Sequence, residues 1–242
     1  MSKLRQSGAC PEATLWYDFA SFLEMKGAEK MMLRLGLLLV LATGLATAAP
    51  PPVPVMPYDS LMEERVVVDG YVDVEEDEYP ASFTDAATGI TVHWGFDDSL
   101  MYVALTGKGK GWMAIGFGSA RMDKANMIIG YYADDSVEVS NHIGVGRGHK
   151  AVPDSASLLE DEDVDFDDET GAMTVELIYP LRWPGLKGVA VSGLEPGGTY
   201  DMVLARNARS VSLAQKHGQK AALRFRLAPL PPKEGPKQEE GN

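Results

Sequence analysis

The chain has 242 residues and a formal net charge of −13. An acid excess of that size argues against nucleic acid and anionic lipid as partners and favours a basic protein surface. The single cysteine, Cys10, excludes an intrachain disulfide framework and thiolate metal centres.

Residues 1–30 are polar, mixed in charge and without period, and are expected to be an upstream extension, with translation starting at Met31 or Met32. Residues 31–49 read as a secretory signal peptide. Arg34 supplies the positive end, Leu35 to Leu45 an apolar run too short to span a bilayer comfortably, and Ala46-Thr47-Ala48 a cleavage site. An uncleaved signal-anchor is the alternative. Removing 1–49 leaves a chain with no cysteine and a charge of −14, destined for the periplasm, the extracellular space or a secretory lumen. Residues 50–63 are expected to be a linker and 64–228 one domain. The tail 229–242, mostly Pro, Lys, Glu and Gly, is too poor in apolar residues to pack.

Within the domain the hydropathy alternates with period two. Strands are expected at 90–94 and 100–105 around the turn Phe96-Asp-Asp-Ser, at 112–117 after the glycine-lysine turn 107–111, and at 126–132 and 137–140 around Ala-Asp-Asp-Ser. Further strands are expected at 173–179, 189–192, 200–205 and 221–227. No long stretch keeps a 3.6 period. About nine short strands joined by turns predict an all-β protein, an antiparallel β-sandwich. In the 112–118 strand Trp112, Ala114, Gly116 and Gly118 share one face, and Met113, Ile115 and Phe117 the other. Such a small-residue face leaves room for a flat ligand or a closely packed neighbour.

Met122 follows that strand, and His217 precedes the last one, about 95 residues later. A thioether and an imidazole brought together across a β-fold are the axial pair of an electron-transfer haem. Each also has an ordinary reading: Met is a common core filler, and His217 beside Lys216 suits a surface loop. Met127 is a second thioether, on the opposite face from Met122 if both are extended. His93 should face outward if Val92 and Trp94 face the core. His142 and His149, in the glycine-rich stretch 141–154, read as a mobile loop over a pocket, are further ligand candidates. Residues 160–169 hold eight acids in ten and read as a solvated acidic loop, with a docking surface for a basic partner as the second reading. The stretch lacks the glycine and closing glutamate of an EF-hand. No nucleophile elbow, zinc-protease helix or phosphate loop is present, so catalysis has little support.

Several blocks together resemble the DOMON family, domains similar to the N-terminal part of dopamine β-monooxygenase. They are Asp69-Gly70, Glu78-Tyr79-Pro80, Gly89-Ile-Thr-Val-His-Trp94, Leu100-Met-Tyr-Val-Ala-Leu105, Gly111-Trp-Met-Ala-Ile-Gly-Phe-Gly118 and Met122-Asp-Lys-Ala-Asn-Met-Ile-Ile-Gly130, with the closing 205–218 loop and the 221–227 strand. The resemblance implies an immunoglobulin-like sandwich with a pocket for haem b or, in some branches, sugar. In haem-binding members the ligands are a Met after the Gly-Phe-Gly strand and a His, sometimes Lys, before the last strand. Met122 and His217 stand there, with Lys216 as the possible substitute. The implied protein is an exported, non-covalent haem b electron-transfer domain rather than an enzyme. Trp112, Ile115, Phe117 and Ile128 would line the haem, and a membrane b-type cytochrome or exported redox enzyme would be its partner. The alternatives are a haem-free carbohydrate module, stacking sugars on Trp94, Tyr131, Tyr132 and Trp183, and an accessory subunit of a redox enzyme.

Overall fold

The computed structural model describes residues 52–133 and 136–232. The expected signal peptide, the 1–30 segment and most of the 229–242 tail lie outside them. In chain order the elements are β1 (Val55–Met56), a one-turn helix α1 (Met62–Arg65), β2 (Ala81–Asp85), β3 (Ile90–Phe96), β4 (Leu100–Lys108), β5 (Trp112–Phe117), β6 (Asn126–Ala133), β7 (Ser136–Val145), β8 (Gly148–Ala151), β9 (Asp161–Asp167), β10 (Ala172–Pro180), β11 (Thr199–Asn207) and β12 (Gln219–Leu227). They form two sheets: β1-β12-β11-β5-β6-β7-β8 and β2-β3-β4-β10-β9. Every named pairing is antiparallel except β1 with β12. The β-sandwich expected from the sequence is the fold observed.

Alternation builds the core. Ile90, Val92 and Trp94 of β3, Met101, Val103 and Leu105 of β4, Val175, Leu177 and Tyr179 of β10, and Met113, Ile115 and Phe117 of β5 point between the sheets. Trp94 meets Phe83 and Phe225 there. Each large apolar side chain so buried contributes roughly 1.5–3 kcal/mol. His93 takes the outer face of its sheet, as expected, with Nε2 3.4 Å from Thr106 Oγ1.

Four expectations are corrected. Of the expected linker 50–63, the described residues 52–63 are not a plain linker: β1 extends the larger sheet, and Met56 and Met62 are fully buried. Val189–Ser192 is not a strand but an irregular segment whose carbonyls accept from Trp183: its backbone N–H donates to Ser192 O and its Nε1–H to Val191 O. The 141–154 stretch is not a mobile loop: most of it is the β7–β8 hairpin. The acidic 160–169 segment is largely the edge strand β9, with Val164 packed in the core and Phe166 against it while the odd-numbered aspartates point away. Charge on an edge strand blocks edge-to-edge pairing with another chain.

The smaller sheet is strapped on its outside by residues 66–80. Glu176, buried on that face, accepts hydrogen bonds from the backbone N–H of Asp69 (3.1 Å) and Gly70 (2.9 Å) and from Tyr79 Oη (2.7 Å). Gly70 has φ +79°, and a Cβ there would lie 2.7 Å from Asp165 Cβ. Only glycine suits that crossing.

Candidate functional site

The outer face of the larger sheet is the unusual one. Facing away from the sandwich core, β5 presents Trp112, Ala114 and Gly116. Its register partners on that face are Tyr131, Ile129 and Met127 of β6 and Asn207, Ala205 and Val203 of β11. A sheet face turned to water would carry polar residues here. Instead Trp112, Ala114 and Ile129 are buried and form a separate apolar cluster, with Tyr131, Ala205 and Leu213 packed against it. Small residues at its centre keep it low: a Cβ on Gly116 would come within 2.8 Å of both Met127 Cγ and Val203 Cγ2.

Two connections rise over this floor. The first, between β5 and β6, carries Met122. It is tied to the β7–β8 hairpin by Lys124 N–H to Gly144 O (2.9 Å), Gly144 N–H to Ala125 O (3.0 Å) and Gly146 N–H to Asp123 Oδ1 (2.7 Å). Gly144 has no room for a side chain, because a Cβ would collide with the Met122 carbonyl. The start of β6 is locked to the opposite sheet. Asn126 Nδ2 donates to Tyr179 Oη (3.1 Å), and Asn141 Nδ2 donates to Asn126 Oδ1 (2.9 Å). Burial pushes the Tyr179 phenol up to about 12 despite these partners, so it stays neutral.

The second connection, between β11 and β12, carries His217. Its chain neighbours are fixed on β11: Lys216 O accepts from Asn207 Nδ2 (3.1 Å), and Gly218 N–H donates to Arg206 O (2.9 Å).

Met122 and His217 line the same cavity, of about 520 Å³, with Trp112, Ala114, Gly116, Ile129, Val203 and Ala205. Lys216 does not line it; with both candidate ligands it borders an adjoining space of about 920 Å³. The volume is that of a small-molecule or cofactor site. In a strongly acidic chain the charged lining is mostly basic: Arg121, Arg147 and Lys220 against Asp123. Trp112 Nε1 is a buried side-chain polar atom with no hydrogen-bond partner, singular in this among the described residues. Such an orphan donor is costly unless something accepts from it.

The remaining two histidines sit beside this site. His142 of β7 and His149 of β8 face each other with Nδ1···Nδ1 3.0 Å and ring centroids 4.8 Å apart, nearly perpendicular. His142 Nε2 lies 2.9 Å from Ser140 Oγ. Burial first, and then the His149 ring, lowers His142 to about 4, so its imidazole is neutral at physiological pH. His149 lines both spaces; His142 lines the larger. Among the described residues no three His, Cys, Asp or Glu side chains converge as a metal site would require.

Of the residues expected to line a ligand, Met122, His217 and Trp112 lie at the cavity. Phe117 and Ile128 do not: both are in the inter-sheet core, at 0% and 1% exposure. Ile115 borders the cavity but belongs to the same core cluster. The reason is the pleat. Even-numbered β5 residues face the cavity and odd-numbered ones the core, and in β6 the parity is reversed, so the outward side chains are Met127, Ile129 and Tyr131. The aromatic platform proposed for sugars is also corrected: Trp94 and Trp183 are 1% and 0% exposed and can stack on nothing outside the core. The sequence reading missed Arg121, Arg147, Lys220 and Leu213. Only Arg121, adjacent to Met122, carried a local signal.

Comparison with known families agrees with the resemblance read from the sequence. The DOMON domain model matches residues 87–178, a stretch that contains Met122 and ends before His217. Similar solved structures include the cytochrome b domain of pyranose dehydrogenase from Coprinopsis cinerea, at 14% identity and TM-score 0.43 over 60% of this chain and 86% of that one. The cytochrome domain of Myriococcum thermophilum cellobiose dehydrogenase shows 16% identity and TM-score 0.40 over 62% and 91%. A family 9 carbohydrate binding module from Caldicellulosiruptor kristjanssonii, solved with glucose, shows 12% and 0.42 over 75% and 98%. No curated protein matches the chain.

Proposed function

We propose that the cavity holds haem b non-covalently, with Met122 and His217 as axial ligands, and that the protein is an exported electron-transfer domain. The observation that carries this reading is the convergence of a thioether and an imidazole, about 95 residues apart in sequence, on one apolar cavity with a basic rim. The donor set fits the group on three counts. Met and His are a known axial pair for electron-transfer haem. Arg121, Arg147 and Lys220 suit the two carboxylates of a flat apolar ligand. Trp112 Nε1 is a donor still lacking an acceptor.

When bound, the iron would supply one-electron transfer, with the thioether favouring the ferrous state. The chain's own residues position and enclose it. Gly116, Ala114 and Ala205 keep the floor flat, Trp112 and Leu213 exclude water, and the hydrogen bonds at Gly144 and Asn207 hold the two ligand-bearing loops. With both ligand positions filled by side chains, no site is left open for oxygen. We place the protein outside the cytoplasm, from its leader-like 31–49 segment. We assign the aspartate-rich outer face of β9 to docking a basic surface, on a membrane b-type cytochrome or an exported redox enzyme.

The test is a haemin titration of the purified protein followed by its absorbance, with Met122→Ala and His217→Ala alongside. One equivalent taken up by the wild type, and spectra altered in each variant, is the expected result. A folded protein that takes up no haemin but is retarded on a polysaccharide gel would replace this reading with a carbohydrate-binding one.

A further inference from the structure

The pair His142–His149 has a geometry that the haem reading does not use. Their Nδ1 atoms lie 3.0 Å apart, within hydrogen-bonding distance of each other. The rings cross nearly perpendicular, at 75°. They are diagonal neighbours on adjacent antiparallel strands, since His142 pairs with Ala151 and His149 with Gly144. The backbone therefore holds them together without help from a loop.

Two readings of facing Nδ1 atoms exist: one nitrogen carries the proton and donates to the other, or both lone pairs face a cation. Ser140 bears on the choice. Its Oγ lies 2.9 Å from His142 Nε2. A proton on Nε2, donated to that hydroxyl, leaves Nδ1 of neutral His142 as a lone pair aimed at His149. Metal-bound imidazoles are commonly oriented in this way, through the ring nitrogen that does not bind metal.

We propose that His142 and His149 chelate a transition-metal ion through their Nδ1 atoms, with copper(II) as the preferred ion. The separation is compatible with both rings binding one ion, and the affinity order of imidazole sites selects the ion. For metal–nitrogen bonds of about 2.05 Å, nitrogens 3.0 Å apart subtend roughly 94° at the metal. That is the angle of two neighbouring ligands in a tetragonal copper(II) or nickel(II) site, whereas tetrahedral zinc opens the pair to about 3.3 Å. Among divalent ions bound to imidazole, copper is also the strongest. The remaining positions face the 920 Å³ space lined by Gly148, Gln215 and His217, where water completes the shell. The basic Arg147 and Lys220 line the same space and disfavour a high cation charge, so the site is a chelate of moderate strength.

The site is independent of haem and is tested on haem-free protein. The probe is copper(II) chloride, added to full-length tag-free protein and followed by calorimetry and electron paramagnetic resonance. One equivalent with nitrogen superhyperfine structure is expected, and zinc and nickel should bind more weakly. His142→Gln and His149→Gln should each lower copper affinity at least tenfold, while His217→Gln and Met122→Ala leave it unchanged. Thermal melts of each variant separate lost binding from lost folding. A hydrogen-bonded imidazole pair only, seen as no copper uptake, would overturn the proposal, as would uptake unchanged in both histidine variants. Uptake abolished in His217→Gln but retained in His142→Gln and His149→Gln would move the ion to the haem cavity and also overturn it.

Discussion

Met122 is held by what its neighbours lack. The loop that carries it lies on Gly144, where a Cβ would strike the Met122 carbonyl. Gly144→Ala should therefore displace the ligand loop and destabilise the fold by about 1–3 kcal/mol, as overpacking does. Haem retention should fall with it, as read by titration beside a thermal melt. Glu176 makes a second residue-level prediction. Burial outweighs its three donors and raises its carboxyl from 4.5 to about 7. Because the folded value lies above the unfolded one, stability from this group is complete below about pH 4.5 and is lost as pH rises through about 7. Glu176→Gln should remove this dependence, flattening the stability profile between pH 4.5 and 7 by up to roughly 3 kcal/mol. A profile as steep in the variant as in the wild type would show that another group titrates there.

At the scale of elements, the face rule of β5 organises the site. Ala114 faces the cavity from the middle of the strand, opposite Ile129 and Ala205. Ala114→Leu should fill the floor, leaving a folded protein whose haemin affinity drops at least tenfold. The same substitution at an outward position on the smaller sheet should leave haemin uptake unchanged. Strand alternation was legible in the sequence, and it correctly separated Trp112, Ala114 and Gly116 from Met113, Ile115 and Phe117. The same alternation places Phe117 and Ile128 in the core and not on the ligand wall expected for them, because apolar character alone does not fix orientation. The acidic β9 and the 141–151 part of the β7–β8 hairpin resemble loops for a related reason. Charge and glycine content usually mark loops, but pairing with β10 and β6 overrides local composition. The N-terminal β1 was hidden by its prolines and its two-residue length.

For the whole molecule, the sandwich places a cavity on its outside, covered by two loops from distant parts of the chain. Sequence spacing suggested both loops, but the basic rim could not be foreseen, since Arg121, Arg147 and Lys220 come from three separate connections or strand ends. A ligand bound there stabilises only the folded state. At a free haemin concentration about 100 times Kd the gain is about 2.7 kcal/mol. For a domain of this size that raises Tm by about 5–10 °C. The acidic exterior predicts salt-sensitive docking: association with a basic redox partner should slow steeply as ionic strength rises, and more steeply for the wild type than for a protein with the β9 aspartates changed to asparagine.

The most direct measurement is the visible spectrum of the haemin-loaded protein, oxidised and then reduced with dithionite. Two protein ligands on the iron predict a low-spin, six-coordinate spectrum with resolved α and β bands on reduction, lost in both Met122→Ala and His217→Ala. A high-spin spectrum, or a low-spin one indifferent to both substitutions, would contradict Met122 and His217 as the axial pair.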